Sequence, residues 1–472
     1  MTTVRKRVLI PIAGDIFVRN FIDSGAFAEL EARYEVWYLV SSKVAKPIAG
    51  DRVIHVQDDD VDRRTIQRYR TGFLTMRRYR ARSRSFDLKY QGTFYRRLSP
   101  IRRAAFLALS APGVCEAVCW ATERVLGKLA EVDVAITTIR PAFIIVPSGF
   151  SDSFSIDCVK SAKAAGIPSL MLMFNWDNVS CKGLLPVLPD HLGVWGDQTR
   201  NQAVAIHRMP ASEVFLLGAP QFELYRQADI SESERIRDVR MRNGVPDDKL
   251  LLLYLGISRY RDEIALLSIL EQAITDGRLP GTHVVYRPHP WREVSRGERN
   301  FFDRSFQHVT MDEQLREHYV ASLTDPGYNV KRFVPDYGYY PFLLTAADAV
   351  VSSLTTMGIE AMLVGKPVLL PAYPEPGMEF SVDTLIQYDH HDCWEQFRDA
   401  IVCHRQEDFV SDAQRLIAFA RDPDVGHRTR RDVQYVVYAD DVPYPVRLCR
   451  LVDRLTASAR PNDHIAGGKH AK

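Results

Sequence analysis

The sequence lacks the features that define several classes of protein. Its seven cysteines form no Cys-x-x-Cys pair and follow no regular metal-ligand spacing, so reduced thiols are the simpler interpretation and no metal site is predicted. The most apolar long stretch, 104–121, is broken by Pro112 and Glu116 and falls short of the roughly 20 apolar residues that a membrane span needs. Residues Met1–Arg7 lead directly into the apolar run Val8–Ile12, without the cleavage site of a secretory signal. We therefore expect a cytoplasmic protein without a transmembrane helix.

A strong net charge is also missing. The 61 Lys and Arg residues nearly balance 59 Asp and Glu residues, and a net charge of +2 gives no global argument for nucleic acid as a partner. A hydrophobic content of 46% and a charged content of 25% are ordinary for a folded protein. At 472 residues the chain is too long for one ordinary core, so we expect two or three domains.

Short apolar runs alternate with helical patterns in two separate series. The run Arg7–Pro11 ends at Gly14-Asp15, a helical pattern continues to Leu30, and a second run follows at Val36–Val40, which is typical of a parallel sheet. Further strands are predicted at 132–137, 144–146, 169–174, 194–196, 214–217, 250–255, 282–287, 349–352 and 367–370. The predicted fold class is α/β, with two facing Rossmann-like doubly wound domains.

The domain boundaries follow from where these patterns stop. We predict an N-terminal domain at 1–225 and a second α/β domain at 226–435, with polar helical sequence joining them. A separate helical pattern occupies 436–460. Residues 461–472 are predicted to be disordered.

An arginine-rich insertion interrupts the first series at about 61–105. Between Arg63 and Arg103 the chain has thirteen Arg and one Lys but a single acidic residue, Asp87, with aromatic residues interleaved. Such a segment suggests an acidic partner. Peripheral contact with the inner face of a membrane, or with a polyanionic lipid-linked acceptor, fits better than nucleic acid, because no nucleic-acid-binding module surrounds the segment. A solvated helical face is the alternative.

The segment Thr282–Trp291 combines a buried-strand pattern with two candidate functional side chains. It ends in Arg287 and His289, each followed by a proline, at the carboxyl end of a predicted parallel strand, where ligands bind in open α/β sheets. The prolines restrict the local backbone, so both side chains could be held toward a cleft. A purely structural role in the loop is the alternative for both residues.

A hydroxyl-rich turn follows another predicted strand. The segment 346–369 reads as strand, turn, helix, Gly-Lys-Pro turn and strand. The turn places Ser352, Ser353, Thr355 and Thr356 at the predicted helix start, where free backbone N–H groups and the positive end of the helix dipole suit a phosphate. Helix capping would explain one or two of these hydroxyls and not the whole cluster. The sequence therefore predicts a phosphate site at this turn.

Three further residues are candidates for the same site. Glu360 lies one helical turn after Thr356, so its carboxylate could bond the hydroxyls of a ribose or a donor sugar. Ser258 and Arg259 follow the predicted strand Leu250–Leu255, and a guanidinium suits a diphosphate oxygen. An ion pair between domains would use Arg259 equally well.

These motifs, taken in order, resemble the donor-binding half of GT-B glycosyltransferases. The His-Pro motif at 289–290, the paired hydroxyls at 352–356, and Glu-Ala followed by Gly-Lys-Pro at 360–367 are similar to those of bacterial capsule-type sialyltransferases, Kdo transferases and CDP-glycerol glycerophosphotransferases. Segments 175–183 and 214–222 look like parts of bacterial surface-polysaccharide transferases. The resemblance covers about 210–375 and is only topological over the first 150 residues.

The resemblance implies a GT-B fold whose C-terminal helix crosses back to the N-terminal domain. It also implies transfer of a sugar, or a glycerol-phosphate-like group, from a CMP, CDP or UDP donor to a surface-polysaccharide or glycolipid acceptor, without a cofactor or metal. The donor-binding residues would be Ser258, Arg259, Arg287, His289, Ser352, Ser353, Thr355, Thr356 and Glu360. UDP-N-acetylglucosamine 2-epimerases use similar Gly, Ser and Glu positions. An epimerase and a non-catalytic nucleotide-sugar-binding scaffold therefore stay open as alternatives.

Glycosyl transfer requires a clamp for the departing phosphate and a base for the acceptor. His289 belongs to the clamp in this scheme and is a candidate catalytic residue. GT-B folds place the acceptor in the N-terminal domain, so the base would be Asp15 or Asp177, with Asp152 as a third choice. For each of the three, a helix cap or an Asx turn is the alternative.

Overall fold

Parallel strands and helices alternate along the chain in the computed structural model, which describes residues 5–57, 61–95, 98–150, 152–227, 233–258, 262–292, 300–374 and 382–458. Several strands, such as Phe143–Ser148, Ser169–Met173 and Thr282–Arg287, are buried along their whole length, as expected of a sheet covered on both faces. The strands are β1 (Arg7–Ile12), β2 (Glu35–Ser41), β3 (Val53–Val56), β4 (Phe143–Ser148), β5 (Ser169–Met173), β6 (His191–Val194), β7 (Val214–Leu216), β8 (Leu250–Leu255), β9 (Thr282–Arg287), β10 (Val309–Met311), β11 (Ala349–Ser352), β12 (Val368–Pro371) and β13 (Ala400–Cys403).

Helices connect these strands and vary widely in length. The described α-helices are α1 (Asp15–Phe17), α2 (Ala28–Arg33), α3 (Val61–Arg78), α4 (Arg84–Lys89), α5 (Pro100–Leu109), α6 (Val114–Leu126), α7 (Ala130–Ile139), α8 (Ser153–Ala164), α9 (Asn178–Cys181), α10 (Asp197–His207), α11 (Glu223–Gln227), α12 (Ser233–Arg242), α13 (Glu263–Thr275), α14 (Glu313–Thr324), α15 (Tyr340–Ala346), α16 (Thr356–Leu363), α17 (Val382–Leu385), α18 (Phe409–Ala420), α19 (Val425–Asp432) and α20 (Tyr444–Ser458). Several of them begin at an Asp whose side chain accepts from a backbone N–H of the first turn, as at Asp152, Asp262 and Asp312.

The strands form two sheets in which every described pairing is parallel. The orders are β3-β2-β1-β4-β5-β6-β7 and β10-β9-β8-β11-β12-β13. Each sheet grows in one direction and then reverses, between β1 and β4 in the first sheet and between β8 and β11 in the second. A reversal of this kind is where open α/β sheets bind their ligands. The predicted pair of Rossmann-like domains is confirmed.

The chain divides into two compact units, which are Met1–Glu223 with Val437–Lys472, and Leu224–Val436. The seven-stranded sheet lies in the first unit and the six-stranded sheet in the second. In the second unit, α13 and α18 bury Leu267, Leu270 and Leu416 in the same core as residues of β8 and β9. Each unit therefore has a hydrophobic core of its own.

Helix α20 belongs to the first unit. Its residues Tyr444 and Leu448 are buried in one core with residues of β1 and β2. The phenol of Tyr34 donates to Asp453 Oδ1 at 2.6 Å, and Glu223 Oε1 accepts from the backbone N–H of Tyr444 at 2.9 Å. The C-terminal helix returns to the N-terminal domain, as the resemblance to GT-B proteins implied.

The arginine-rich insertion forms α3, α4 and α5 and has a small core. Phe73, Phe86 and Phe106 are buried there together with Cys115 of α6. Tyr90 stacks on Phe106 with ring centres 5.5 Å apart. The interleaved aromatic residues of this segment are therefore partly core residues of a helical subassembly.

Two arginines of the insertion point inward. Arg64 and Arg68 each lie 2.6 Å from a carboxylate oxygen of Asp157 in α8, and Arg68 also pairs with Glu123 of α6 at 2.9 Å. Asp157 and Glu123 are distant in sequence, so the local excess of arginine does not indicate that these two arginines have acidic partners. Arg64 and Arg68 therefore neutralise buried acids and are not part of an exposed basic surface.

The structure also corrects the predicted elements. Residues 132–137, predicted as a strand, lie within α7, where Val132, Ala135, Ile136 and Ile139 are buried on one face. Their β-branched composition favours a strand, but the spacing of the buried positions is helical. Three strands were missed, β3, β10 and β13, and each is a short edge strand of its sheet. The predicted disordered tail, 461–472, lies outside the described residues.

Among the described helices, none by itself combines the length and the apolar composition of a membrane span. Helices α5 and α6, which meet at 88°, reach that length and apolar composition only when they are taken together.

Candidate functional site

Three neighbouring strands of the second sheet, β9, β8 and β11, carry the candidate donor residues at their carboxyl ends. Leu255 of β8 is in register with Arg287 of β9 and with Ser352 of β11. Beyond the strands, Gly256 N donates to Arg287 O at 2.9 Å and Ser353 N donates to Leu255 O at 3.1 Å. The three segments that follow therefore meet at one edge of the sheet, beside the reversal of strand order. We call them the second rim: residues 256–258, 288–292 and 353–360.

Gly256 allows the first two segments of the second rim to approach closely. A Cβ atom at this position would lie 2.8 Å from Glu263 Oε2 and 3.1 Å from the backbone nitrogen of His289. No side chain fits at that distance, so glycine is required by packing. The predicted motif at His289 and the turn after β8 are thus brought into direct contact.

The turn after β11 contains hydroxyls without a partner. Ser352 is the last residue of β11, and its Oγ donates to the carbonyl of Ser353 at 2.7 Å, so it does not lie at the helix start as predicted. Thr355 is the N-cap residue of α16, but its side chain makes no capping hydrogen bond. Ser353 is 2% exposed, and its Oγ and the Oγ1 of Thr355 are buried without a hydrogen-bond partner among the described residues.

Such buried hydroxyls are unusual, because an unsatisfied polar group costs free energy on folding. Thr356 begins α16, and the first N–H groups of a helix have no acceptor within the helix. Hydroxyl and amide donors at a helix N-terminus together suit an anion. This part of the second rim has the chemistry that the sequence predicted for a phosphate.

Glu360 lies one turn further along α16. Its carboxylate accepts a hydrogen bond from the phenol of Tyr225, the second residue of the second unit. Burial raises the pKa of Tyr225 well above its usual value, so the phenol stays protonated. A carboxylate has about four acceptor positions, so Glu360 could accept further hydroxyl donors while Tyr225 holds it in place.

Arg287 is buried beneath the second rim. Its Nη1 donates to Asp312 Oδ2 at 2.5 Å, its Nη2 donates to Gln314 Oε1 at 3.0 Å, and its guanidinium lies 4.4 Å from the ring centre of Tyr340. Burial opposes the charge, but Asp312 more than compensates and raises the pKa of Arg287. The predicted phosphate ligand is therefore half of a closed ion pair, because the N-terminus of α14 supplies a carboxylate that the sequence motif does not reveal.

His289 is half-buried in the second rim, with one ring nitrogen engaged. Its Nδ1 accepts from the backbone N–H of Trp291 at 3.0 Å, and among the described residues Nε2 has no hydrogen-bond partner. Burial, with repulsion from Arg287 and Arg292, lowers the pKa of His289 to about 4. The imidazole is therefore neutral near pH 7, with its proton on Nε2, and can donate one hydrogen bond.

Glu263, the first residue of α13, connects two segments of the second rim. Its carboxylate accepts from Ile257 N and from the phenol of Tyr286, both at 2.6 Å, and lies 3.2 Å from Arg292 Nη1. Burial opposes the charge of Arg292, but Glu263 raises its pKa. Ser258, on the same turn, is exposed, and the predicted ligand Arg259 lies outside the described residues.

The corresponding edge of the first sheet carries the predicted base candidates. We call it the first rim, the residues that follow β1, β4 and β5: 13–15, 149–150, 152 and 174–177. Asp15 is exposed, and its Oδ1 accepts from the backbone N–H groups of Ala45 and Lys46 at 2.9 and 3.0 Å. This carboxylate holds a neighbouring loop.

Asp152 and Asp177 differ in how they are used. Asp152 caps α8 by accepting from Ser155 N at 2.8 Å, and it also accepts from Ser148 Oγ at 3.1 Å, which is the structural alternative considered for it. Asp177 precedes α9 without capping it, and its Oδ2 lies 3.7 Å from Lys182 Nζ. Its Oδ1 accepts from Asn178 Nδ2 at 3.3 Å. The nearest partner of Asp177 therefore lies further away than those of Asp15 and Asp152.

Sequence reasoning missed Tyr225, Glu263 and Asp312. Tyr225 is the last residue of the predicted N-terminal domain, and no local pattern connects it with Glu360. Glu263 and Asp312 follow a weak signal, an acidic residue at the start of the helix after a predicted strand, which usually indicates only capping. Among the described residues, no three His, Cys, Asp or Glu side chains are grouped so that they could hold a metal ion. Metal independence stays a prediction.

No protein-family model and no curated protein matches the sequence, but solved structures do. A candidate UDP-N-acetylglucosamine 2-epimerase from Listeria monocytogenes aligns with a TM-score of 0.51 at 9% identity, over 97% of this chain and 99% of that chain. S. aureus MnaA, solved with UDP, aligns with a TM-score of 0.50 at 11% identity over the same shares of the two chains. The wall teichoic acid polymerase TagF aligns with a TM-score of 0.46 at 8% identity, over 96% of this chain and 90% of that chain.

At these identities the likeness establishes the fold alone. Two parallel-sheet Rossmann-like domains with a returning C-terminal helix define a fold of the GT-B type. The predicted fold class is confirmed. The function has to be argued from the second rim.

Proposed function

We propose that the chain is a glycosyltransferase that binds a nucleotide-activated donor at the second rim. The observation that carries the proposal is a pair of buried hydroxyls, Ser353 Oγ and Thr355 Oγ1, at the start of α16, for which the described residues supply no hydrogen-bond partner. A protein that leaves two such hydroxyls unsatisfied loses stability unless a ligand satisfies them. A phosphate oxygen is the ligand that a helix N-terminus favours.

The other residues of the second rim fit the leaving group of glycosyl transfer. Negative charge develops on the departing phosphate, and fixed hydrogen-bond donors stabilise it. Neutral His289 supplies an Nε2–H donor, and Glu360 supplies acceptors for ribose or sugar hydroxyls. Arg287 pairs with Asp312, which holds the end of β9 in place, and its Nε–H, without a hydrogen-bond partner among the described residues, is a further donor there.

The nucleotide and the acceptor are further parts of the proposal. The His-Pro motif resembles that of enzymes that use cytidine nucleotides, whereas MnaA, a fold neighbour, was solved with UDP. CMP, CDP and UDP donors are therefore all candidates. We infer a surface-polysaccharide or lipid-linked acceptor from the sequence resemblance, with Asp15 or Asp177 as its base and no cofactor.

Nucleotide binding is tested first, because a ligand that binds only the folded chain raises its thermal midpoint. The chain is heated with CMP, CDP, UDP or GDP, and with CMP-, CDP- and UDP-sugars. A rise with a pyrimidine nucleotide that is smaller in Ser353→Ala supports the proposal. Glu317→Ala, an exposed substitution on α14, is the control. If no nucleotide raises the thermal midpoint, donor binding is contradicted.

An epimerase is the second candidate. One fold neighbour, from Listeria monocytogenes, is a candidate UDP-N-acetylglucosamine 2-epimerase, and another, MnaA, was solved with UDP. The two activities differ in what they need. A transferase releases nucleotide only when an acceptor is present, whereas an epimerase changes a UDP-sugar by itself. NMR spectra of UDP-N-acetylglucosamine incubated with the chain alone distinguish them, since a new anomeric signal without an acceptor would favour the epimerase. Binding without either reaction would leave the scaffold alternative.

A further inference from the structure

Helix α5 is apolar and almost wholly exposed. Among its ten residues, Phe106 is the one that is buried. Ile101 is 82% exposed, and Leu107 and Leu109 are exposed as well. A soluble monomer rarely leaves several large apolar side chains on one short helix in water, so this surface indicates an interaction.

Helix α6 continues the same apolar character. Val114, Ala117, Ala121 and Val125 are all exposed and follow one another at intervals of three or four residues, which places them along one face. Trp120 is 63% exposed beside this face, and the guanidinium of Arg124 lies 5.4 Å from its ring centre. A tryptophan paired with a basic residue is typical of the boundary between lipid and water.

The charge around these helices is strongly positive. Residues 61–126 contain fourteen Arg and one Lys against four acidic residues, although the whole chain carries only +2. The acids Glu116 and Glu123 are paired with arginines of α3. Arg70, Arg102 and Arg124 are exposed arginines of this segment.

We propose that α5 and α6 form a docking surface for an anionic lipid bilayer. Exposed apolar side chains would enter the headgroup boundary while neighbouring arginines bind lipid phosphates. At ten and thirteen residues, the helices are about 15 and 20 Å long, shorter than the roughly 30 Å hydrocarbon core, and they meet at 88°. The pair therefore lies in the interface and does not span the membrane.

A second copy of the chain is the competing occupant. Self-association through this surface would bring two strongly basic segments together, and like charges across an interface are costly. An anionic bilayer has the opposite charge and accepts both the apolar side chains and the arginines. Charge complementarity therefore favours the lipid surface. This inference does not depend on the proposed transferase function.

The test is flotation of the full chain with vesicles of phosphatidylcholine, alone or with one-third phosphatidylglycerol. We expect binding to the anionic vesicles, weakened by raising salt to about 0.5 M, where the Debye length falls to a few ångströms. The fluorescence of Trp120 should shift to shorter wavelength on binding. That shift should be missing in Trp120→Phe.

Two variants separate the apolar and the charged contributions. Ile101→Ser combined with Leu109→Ser should weaken vesicle binding about tenfold or more, equivalent to roughly 1.4 kcal/mol of lost apolar burial. Arg102→Glu combined with Arg124→Glu should abolish the preference for anionic vesicles. Val334→Ser, at an exposed valine of the second unit, is the matched control and should bind normally.

All substituted residues are exposed or lie on the outer faces of the two helices, so the variants should keep the wild-type thermal midpoint. Three results would overturn the proposal. They are no binding to anionic vesicles at low salt, binding that the Ile101→Ser/Leu109→Ser variant retains in full, and light scattering that shows a dimer which this variant dissociates.

Discussion

The two units use the same sheet edge in different ways. In the first rim, polar side chains are engaged with the protein itself: Asp15 accepts from Ala45 and Lys46, and Asp152 caps α8. In the second rim, Ser353 Oγ and Thr355 Oγ1 are buried without a hydrogen-bond partner among the described residues. Ser153 Oγ, at the start of α8 beside the first rim, shares this property, but the second rim has two such hydroxyls at one helix start and is the better candidate for a ligand.

Both units have buried arginines in ion pairs close to these edges. Arg64 and Arg68 of the first unit join α3 to α8 through Asp157, and Arg68 also donates to the carbonyl of Ser153 at 3.1 Å, next to Asp152 of the first rim. Arg287 and Arg292 of the second unit close ion pairs directly under the second rim. These two ion pairs hold the second rim in place. They keep its hydrogen-bond donors in a fixed arrangement and limit the reorganisation needed when an anion binds.

The largest effect is expected from removing the Glu263 carboxylate, which pairs with Arg292. Glu263→Ala leaves Arg292 without its carboxylate and removes the acceptor of Ile257 N and the Tyr286 phenol. We expect a loss of about 3–5 kcal/mol in the unfolding free energy of the second unit, as for other broken buried ion pairs. Urea unfolding measures it, with Glu317→Ala as the control. An unchanged midpoint would show that the second rim is not held in place in this way.

The first rim is tested by Asp15→Asn. The amide oxygen still accepts from Ala45 and Lys46, so the thermal midpoint should hardly change. If Asp15 is the acceptor base, kcat should fall by about 100-fold or more, because a general base contributes roughly that factor. Asp177→Asn is the parallel variant. Normal kcat in both would place the base elsewhere and leave the first rim a purely structural edge.

Ser352, the last residue of β11, and Ser353, the first residue of the turn that follows, provide a matched pair. Ser352→Ala removes the hydroxyl that donates to the Ser353 carbonyl and should cost about 1 kcal/mol of stability. Ser353→Ala removes an unpartnered hydroxyl, so stability should be kept or rise, while nucleotide affinity falls about tenfold, roughly 1.4 kcal/mol. Calorimetric titration and thermal unfolding measure both. Equal affinity in wild type and Ser353→Ala would remove the main support for a donor site.

The smallest effect concerns two histidines. Burial lowers the pKa of His207 in the first unit and of His289 in the second unit to about 4. A histidine in the unfolded chain takes up a proton near pH 6.5, whereas these two buried side chains resist protonation down to about pH 4. Their contribution to the free energy of unfolding is therefore highest above pH 6.5 and decreases as the pH falls toward 4. His289→Gln should therefore reduce the fall in thermal midpoint between pH 6.5 and 4.

The two histidines also differ in their free donors. His207 has both ring nitrogens in hydrogen bonds, with Leu185 N and Val179 O, whereas His289 has a bond only at Nδ1. In histidine NMR spectra, added nucleotide should shift the signals of His289 and leave those of His207 unchanged. A shift of His207 alone would point to the first rim as the binding edge.

Much of this arrangement was readable from local patterns. The runs Leu250–Leu255, Thr282–Arg287 and Ala349–Ser352 were predicted with the bounds that the structure has. A strand buried on both faces leaves a continuous apolar signal, and its carboxyl end marks where polar residues converge. The edge strands β3, β10 and β13 could not be predicted, because runs of three or four residues are too short to give a clear apolar pattern. The helix at 132–137 was predicted as a strand because its β-branched residues favour strands, although they also occur in helices.

The sequence by itself determined the α/β class, the edge at which the hydroxyl-rich turn and His289 meet, and the excess of arginine at 61–126. Tertiary structure alone decided which of those side chains have partners. Arg287 pairs with Asp312, and Arg64 with Asp157, while Ser353 Oγ has no hydrogen-bond partner among the described residues. The reason is that a hydrogen bond or ion pair depends on a partner brought from elsewhere in the chain, and no local pattern encodes that partner.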